Sequence, residues 1–251
     1  MELKQSTIGE ILDSEKEMVL RGAERFGAYF INANEMNNLL NHFVKSVDPY
    51  LYFFAIFLSH IKKHHTLALF SATRLHHVQA GMNMRQVLEA SSWAAYAIAH
   101  TEMEKFYEDD ENGMMVIPEK LKDAKNSWLA INFPDGSKVL KNYIKHVGST
   151  TAHANLFHTM QNFKFNFENG RFESPFFDYE DDFYVKTDLW WIANVGYGAM
   201  DLFYGINKKL NTIVFSDDFV PRLLELKRKN DLLKLEMMQS TRFRNIPKSK
   251  K

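Results

Sequence analysis

Met84-Arg85-Gln86-Val87-Leu88-Glu89-Ala90-Ser91-Ser92-Trp93-Ala94-Ala95-Tyr96-Ala97-Ile98-Ala99 decides the class of fold. It holds neither Gly nor Pro, and Met84, Val87, Leu88, Ser91, Ala95 and Ile98 share one helical flank. A helix this apolar belongs near the centre of a bundle. It is predicted to carry Met84 to about Met103, after a break at Gly81. On its N-terminal side, Asp48-Pro49 reads as N-cap and first residue of a helix running toward Val78. Earlier still, Ile11, Met18, Gly22, Phe26, Tyr29, Ala33, Met36, Leu40, Phe43 and Val47 keep helical steps. They predict one long helix or two nearly collinear ones.

On the C-terminal side, residues 102–119 hold seven acids and one Lys and read as a solvated loop. A short helix follows over Pro118 to Leu129. Phe133-Pro134-Asp135-Gly136 signals a turn, and Ser137 caps a helix reaching about His158. The alternation Phe163-Lys164-Phe165-Asn166-Phe167 ahead of Asn169-Gly170 predicts a β-hairpin near residues 163–174. Helices over Tyr184 to Asn211 and Asp217 to Gln239 complete the chain. In the last, Phe219, Leu223, Leu226, Asn230, Leu233 and Met237 form a 4-3-4-3-4 seam. That seam serves either intramolecular packing or a register-setting dimer zipper. Gly196-Tyr197-Gly198 lies in a helical context, where small residues allow close packing. The expected fold is all-α: about six to seven helices with one hairpin, in a single domain over 1–241 and a flexible basic tail over 242–251.

Composition agrees. Of 251 residues only 11 are Gly and 6 Pro, below the usual share of roughly 12%. Thirty-one basic residues balance thirty-one acidic ones, so global charge points to neither nucleic acid nor an anionic membrane. The balance is uneven: residues 102–119 carry a net −6 and residues 222–251 a net +7. With no Cys, disulfide scaffolds, thiolate metal sites and Cys nucleophiles are excluded. The N-terminus lacks a secretory pattern, and no apolar run reaches the roughly 18–20 residues that span a bilayer. A cytoplasmic protein is expected.

Candidate chemistry is sparse. Arg85, Glu89, Ser92 and Tyr96 share one face of the central helix, as a buried polar cluster or as an ordinary surface ion pair. Ser149 and His153, four apart on a later helix, could supply acid–base chemistry or a structural network. Arg85, Glu89, Ser149 and His153 are therefore the catalytic candidates, and Arg85, Tyr96 and His158 the ligand-binding ones. His60 and His64 have chelating spacing, but Lys62 and Lys63 beside them favour a solvated face. Phosphate-loop and dinucleotide signatures are absent, so neither metal nor cofactor is expected.

Arg85-Gln86-Val87-Leu88-Glu89-Ala90, followed later by Ser149-Thr150-Thr151-Ala152-His153-Ala154-Asn155, resembles a group of uncharacterised bacterial all-α proteins. Those carry an Arg-x-x-x-Glu helix, a Ser-x-x-x-His helix, a hairpin and two further helices, over about residues 50–210 of this chain. The resemblance implies the fold and the pairing of the two polar helices. A looser similarity is to the HEPN superfamily of helical endoribonucleases of toxin–antitoxin and phage-defence systems, whose dimers juxtapose Arg and His. Upstream of His153 this chain has Lys145 and His146 rather than Arg. The leading expectation is a self-associating interaction or small-ligand-binding module, its partners a second copy and a small-molecule or RNA ligand, with no membrane. The alternative is a metal-independent HEPN-like ribonuclease acting on RNA.

Overall fold

The computed structural model describes residues 7–151, 164–166, 171–173, 176–178 and 181–240, of which 148–151, 164–166 and 171–173 are described by backbone alone. His153, His158, Phe163, Phe167 and the 242–251 tail lie outside the described residues. Among these, nine α-helices appear, more than the six or seven expected.

The N-terminal stripe divides into three helices: α1 (Ile8–Leu20), α2 (Gly22–Phe26) and α3 (Ala28–His42). Thr7 and Glu10 close a capping box on α1. Gly27 breaks the stripe with φ +53°, a conformation that a side chain disfavours. The stripe also ends early. Val47 is not helical but closes strand β1 (Val44–Val47).

Asp48 does not cap a helix at Pro49. Its Oδ1 accepts from Tyr50 N at 2.9 Å in a turn, and α4 begins later, over Tyr52–Thr73. The next break falls at Leu75 rather than at Gly81, which is buried within α5 (His77–Ala99). Leu75 has φ +60°, costing about 1–2 kcal/mol for a residue with a β-carbon. Long-range bonds hold the turn. Glu15 contacts Arg74 Nη1 at 3.1 Å and His76 Nε2 at 2.9 Å. Asp178 donates its N–H to Leu75 O at 2.9 Å and accepts from His77 N at 2.7 Å.

A loop with the two-residue strands β2 (Glu108–Asp109) and β3 (Met115–Val116) leads to α6 (Glu119–Asn132). Helix α7 (Pro134–Thr151) incorporates the expected turn: Pro134 occupies the first helical position, where its missing N–H costs nothing, and Ser137 lies inside the helix. Strands β4 (Lys164–Asn166) and β5 (Arg171–Glu173) form the expected hairpin, with Phe165 opposite Phe172.

Helix α8 (Asp182–Leu210) ends on left-handed Asn211, and α9 (Phe219–Gln239) closes the described chain. Between them, β6 (Ile213–Phe215) pairs antiparallel with β1, a sheet the sequence reading lacked. The Asn207 side chain completes that corner, accepting from Ile213 N and donating to Ile213 O, both at 2.8 Å. Phe43, Phe215 and Phe219 stack beneath it at 4.8–5.9 Å. Helix α5 forms the centre, packed by α4, α7 and α8, with α3 and α9 closing over α8. No described helix is long and apolar enough to cross a membrane.

The 219–237 seam faces inward. Asn230 is fully buried within its own chain, its Oδ1 accepting from Asn32 Nδ2 at 3.1 Å and its carbonyl from Trp190 Nε1 at 3.0 Å. It therefore cannot set the register of a dimer zipper.

Candidate functional site

Arg85 and Glu89 lie at the edge of α5, 38% and 41% exposed, and pair through Arg85 Nε and Glu89 Oε1 at 2.7 Å. The buried-cluster reading thus fails for these two. It holds one turn further on. Ser92 is buried, donates to the Glu89 carbonyl at 2.6 Å and accepts from Lys125 Nζ at 2.8 Å.

Lys125, on α6, is the residue the sequence reading missed. Its ammonium stands 4.6 Å from the centre of the Trp93 ring. Burial lowers its pKa to about 8; Glu89 opposes that shift, while Lys122 and Lys141 add to it. A signal existed: Leu121, Lys125, Trp128 and Leu129 follow helical steps, so Lys125 occupies an apolar-stripe position.

Tyr96 is buried among Trp93, Phe106, Trp128 and His100, with ring centres 4.2–6.3 Å apart. It is a packing residue rather than a free ligand contact. Ser149 lies on α7, which packs against α5, and only its backbone is described. The structure thus brings Arg85, Glu89 and Ser92 together with Lys125 and sets Tyr96 apart from them. The His60 and His64 rings lie 4.2 Å apart, tilted by 44°, and bond Gln86 and Asn83.

A second location offers more space. A cleft of about 850 Å³ opens between α7, α8 and α9, with Ser91 of α5 at its base. Tyr143, Asn194, Tyr197 and Tyr204 line it, and Asn194 Nδ2 donates to Tyr143 Oη at 3.2 Å. Burial raises the Tyr197 phenol above its ordinary range, with Asp201 and Asp231 adding to the shift, so it remains a neutral donor. Ser91 Oγ is buried and has no hydrogen-bond partner among the described residues, although buried hydroxyls are normally satisfied.

Part of the lining is glycine. A β-carbon placed on Gly198 or Gly205 would meet nothing within 4 Å among the described residues, so the α8 backbone itself borders the cleft. Gly196 differs: there a β-carbon would stand 2.7 Å from His65 Nε2 and 3.1 Å from Met36 Cγ. Close packing explains Gly196 and does not explain Gly198.

No protein-family model, no curated protein and no solved structure matches the chain.

Proposed function

We propose that this chain is a small-molecule-binding module whose ligand lies in the α7–α8–α9 cleft. The ligand is uncharged and largely apolar, and carries at least one hydrogen-bonding group. The observation that carries this reading is a lining that holds the open glycines Gly198 and Gly205 together with a Ser91 hydroxyl that has no partner among the described residues. Each helix-interior glycine forgoes about 1 kcal/mol relative to alanine, and at Gly198 and Gly205 no neighbouring atom of the described residues requires the loss. The volume lies in the range of roughly 300–1,000 Å³ usual for ligand sites. Asp135, Asp201, Lys208 and Lys227 balance one another along the lining, which favours a ligand without net charge.

The test uses N-phenyl-1-naphthylamine, a neutral fluorescent aromatic amine. Saturable enhancement at one site per chain is expected, weakened about tenfold or more in Gly198→Leu, which fills the cleft. Ser91→Ala should weaken binding less. Dye binding equal in wild type and Gly198→Leu would remove the cleft as the site.

A second reading rests on the α5 edge, where Arg85 is reachable by solvent and Lys125 is linked to Glu89 through Ser92. In that reading Arg85 holds an RNA phosphate and His153 supplies acid–base chemistry, as in a HEPN-like endoribonuclease. Wild type should then cleave single-stranded RNA in chelator, and Arg85→Ala and His153→Ala should not. Equal, negligible cleavage by all three removes it.

A further inference from the structure

The zipper seam of α9 is spent inside the monomer, but the opposite face of the same helix is not. Leu224, Leu232, Leu235 and Met238 are 43–59% exposed there. Pro221, Leu224, Arg228, Asp231, Leu235 and Met238 follow one another by three and four residues, so they run along a single outward stripe. A run of exposed Leu and Met on a helix of 21 residues calls for a cover.

The order of residues on this stripe says what the cover is. About the midpoint between Lys229 and Asn230 it reads the same in both directions by chemistry. Arg228 and Asp231 are equidistant from that midpoint with opposite charges; Leu224 and Leu235 are equidistant and both aliphatic; Pro221 and Met238 are equidistant and both apolar. A two-fold axis through the midpoint would set two copies of the helix antiparallel. Arg228 then meets the partner's Asp231, and Leu224 meets the partner's Leu235. Symmetry makes each contact twice.

The local charges suit this arrangement. Arg228 is exposed and forms no salt bridge among the described residues. Asp231 is half-exposed and touches Lys227 of its own helix, so an incoming guanidinium extends that pair into a three-membered network, which single surface pairs do not match. A parallel pairing in register sets Arg228 against Arg228 and Asp231 against Asp231, and an antiparallel pairing shifted along the helix loses the Arg228–Asp231 match. We propose that the outward face of α9 is a homodimer interface, formed antiparallel about the 229–230 midpoint with Arg228 paired to Asp231 across the axis.

Sedimentation velocity on the full chain at micromolar concentration tests this by charge exchange. Wild type should be a dimer. Arg228→Asp sets Asp against Asp, and Asp231→Arg sets Arg against Arg; each should weaken the dimer by more than roughly tenfold. The double variant R228D/D231R restores opposite charges and should restore the dimer. Arg228 does not line the cleft, whereas Asp231 touches the lining residue Lys227, so dye binding measured on Arg228→Asp separates failure here from failure of the ligand reading. A monomeric wild type, a dimer indifferent to the single exchanges, or a double variant that stays monomeric would each overturn the proposal.

Discussion

At Gly196 a β-carbon would collide with His65 and Met36, whereas at Gly198, two residues on and across the same helix, it would meet none of the described residues within 4 Å. One side of α8 is pressed against α3 and α4; the other borders the cleft. The pressed side resolves its polar groups. His65, fully buried, bonds the Ile192 carbonyl through Nε2 at 3.0 Å and the Asn37 side-chain amide through Nδ1 at 2.8 Å. A carbonyl only accepts, so Nε2 carries the proton; Nδ1 faces Asn37 Oδ1. The Thr66 hydroxyl stands 3.0 Å from Asn37 Oδ1 and 3.0 Å from the Lys62 carbonyl, two acceptors for its one proton. The open side leaves Ser91 without a partner among the described residues. Equal glycines thus serve a finished interface on one side and border an open cleft on the other.

The largest expected effect is on the pressed side. Burial lowers the His65 pKa to about 4, so the unfolded chain, with its ordinary value near 6.5, takes up the proton first as pH falls. Stability should drop between pH 6.5 and 4 by on the order of 3 kcal/mol, followed by urea midpoints across that range. A flat profile there would mean that His65 is not held neutral. His77 works in the opposite sense. Burial alone would lower its pKa, but the bond to Asp188 at 2.5 Å and the charges of Asp188, Asp178 and Asp181 outweigh burial and raise it. Its contribution is full below pH 6.5 and is lost as pH climbs through the raised value, so His77→Gln should lose less stability on going from pH 6 to 8 than wild type does.

Gly196→Ala comes next. The added methyl must displace His65 or Met36, and a destabilisation of about 2 kcal/mol is expected by chemical denaturation; a neutral result would show that the interface yields. Gly198→Ala should have the opposite sign, stabilising by about 0.5–1 kcal/mol through helix propensity alone. Destabilisation there would erase the contrast between the two sides. Ser91→Ala is the smallest, a gain of about 0.5 kcal/mol from better propensity and removal of an unsatisfied hydroxyl, seen as a small rise in melting temperature.

Helices α5, α6, α8 and α9 were legible because each carries its own periodicity, and the β4–β5 hairpin because alternation and Asn-Gly are local signals. The break at Leu75 was not. Nothing in a leucine marks a left-handed residue, and the bonds that hold the turn come from Glu15 and Asp178, far away in sequence. The β1–β6 pairing was hidden for the same reason, since Val44–Val47 continues a helical stripe until Ile213–Phe215 pairs with it. At the candidate sites, the Arg85–Glu89 spacing was readable and its exposure was not. Lys125 left a trace as a charge in an apolar stripe, but its partner Ser92 lies 33 residues away.

By itself the sequence determined a helical protein, the placing of its most apolar helix at the centre and the four-residue pairing of Arg85 with Glu89. These follow from interactions within a few turns of one chain segment. Tertiary structure alone decided which side of α9 is spent inside the molecule, which glycine of α8 is packed and which stands open, and where Lys125 loses its water. Each of those depends on what lies opposite a face, and a helix presents the same spacing whether the opposite side is protein, solvent or a second chain.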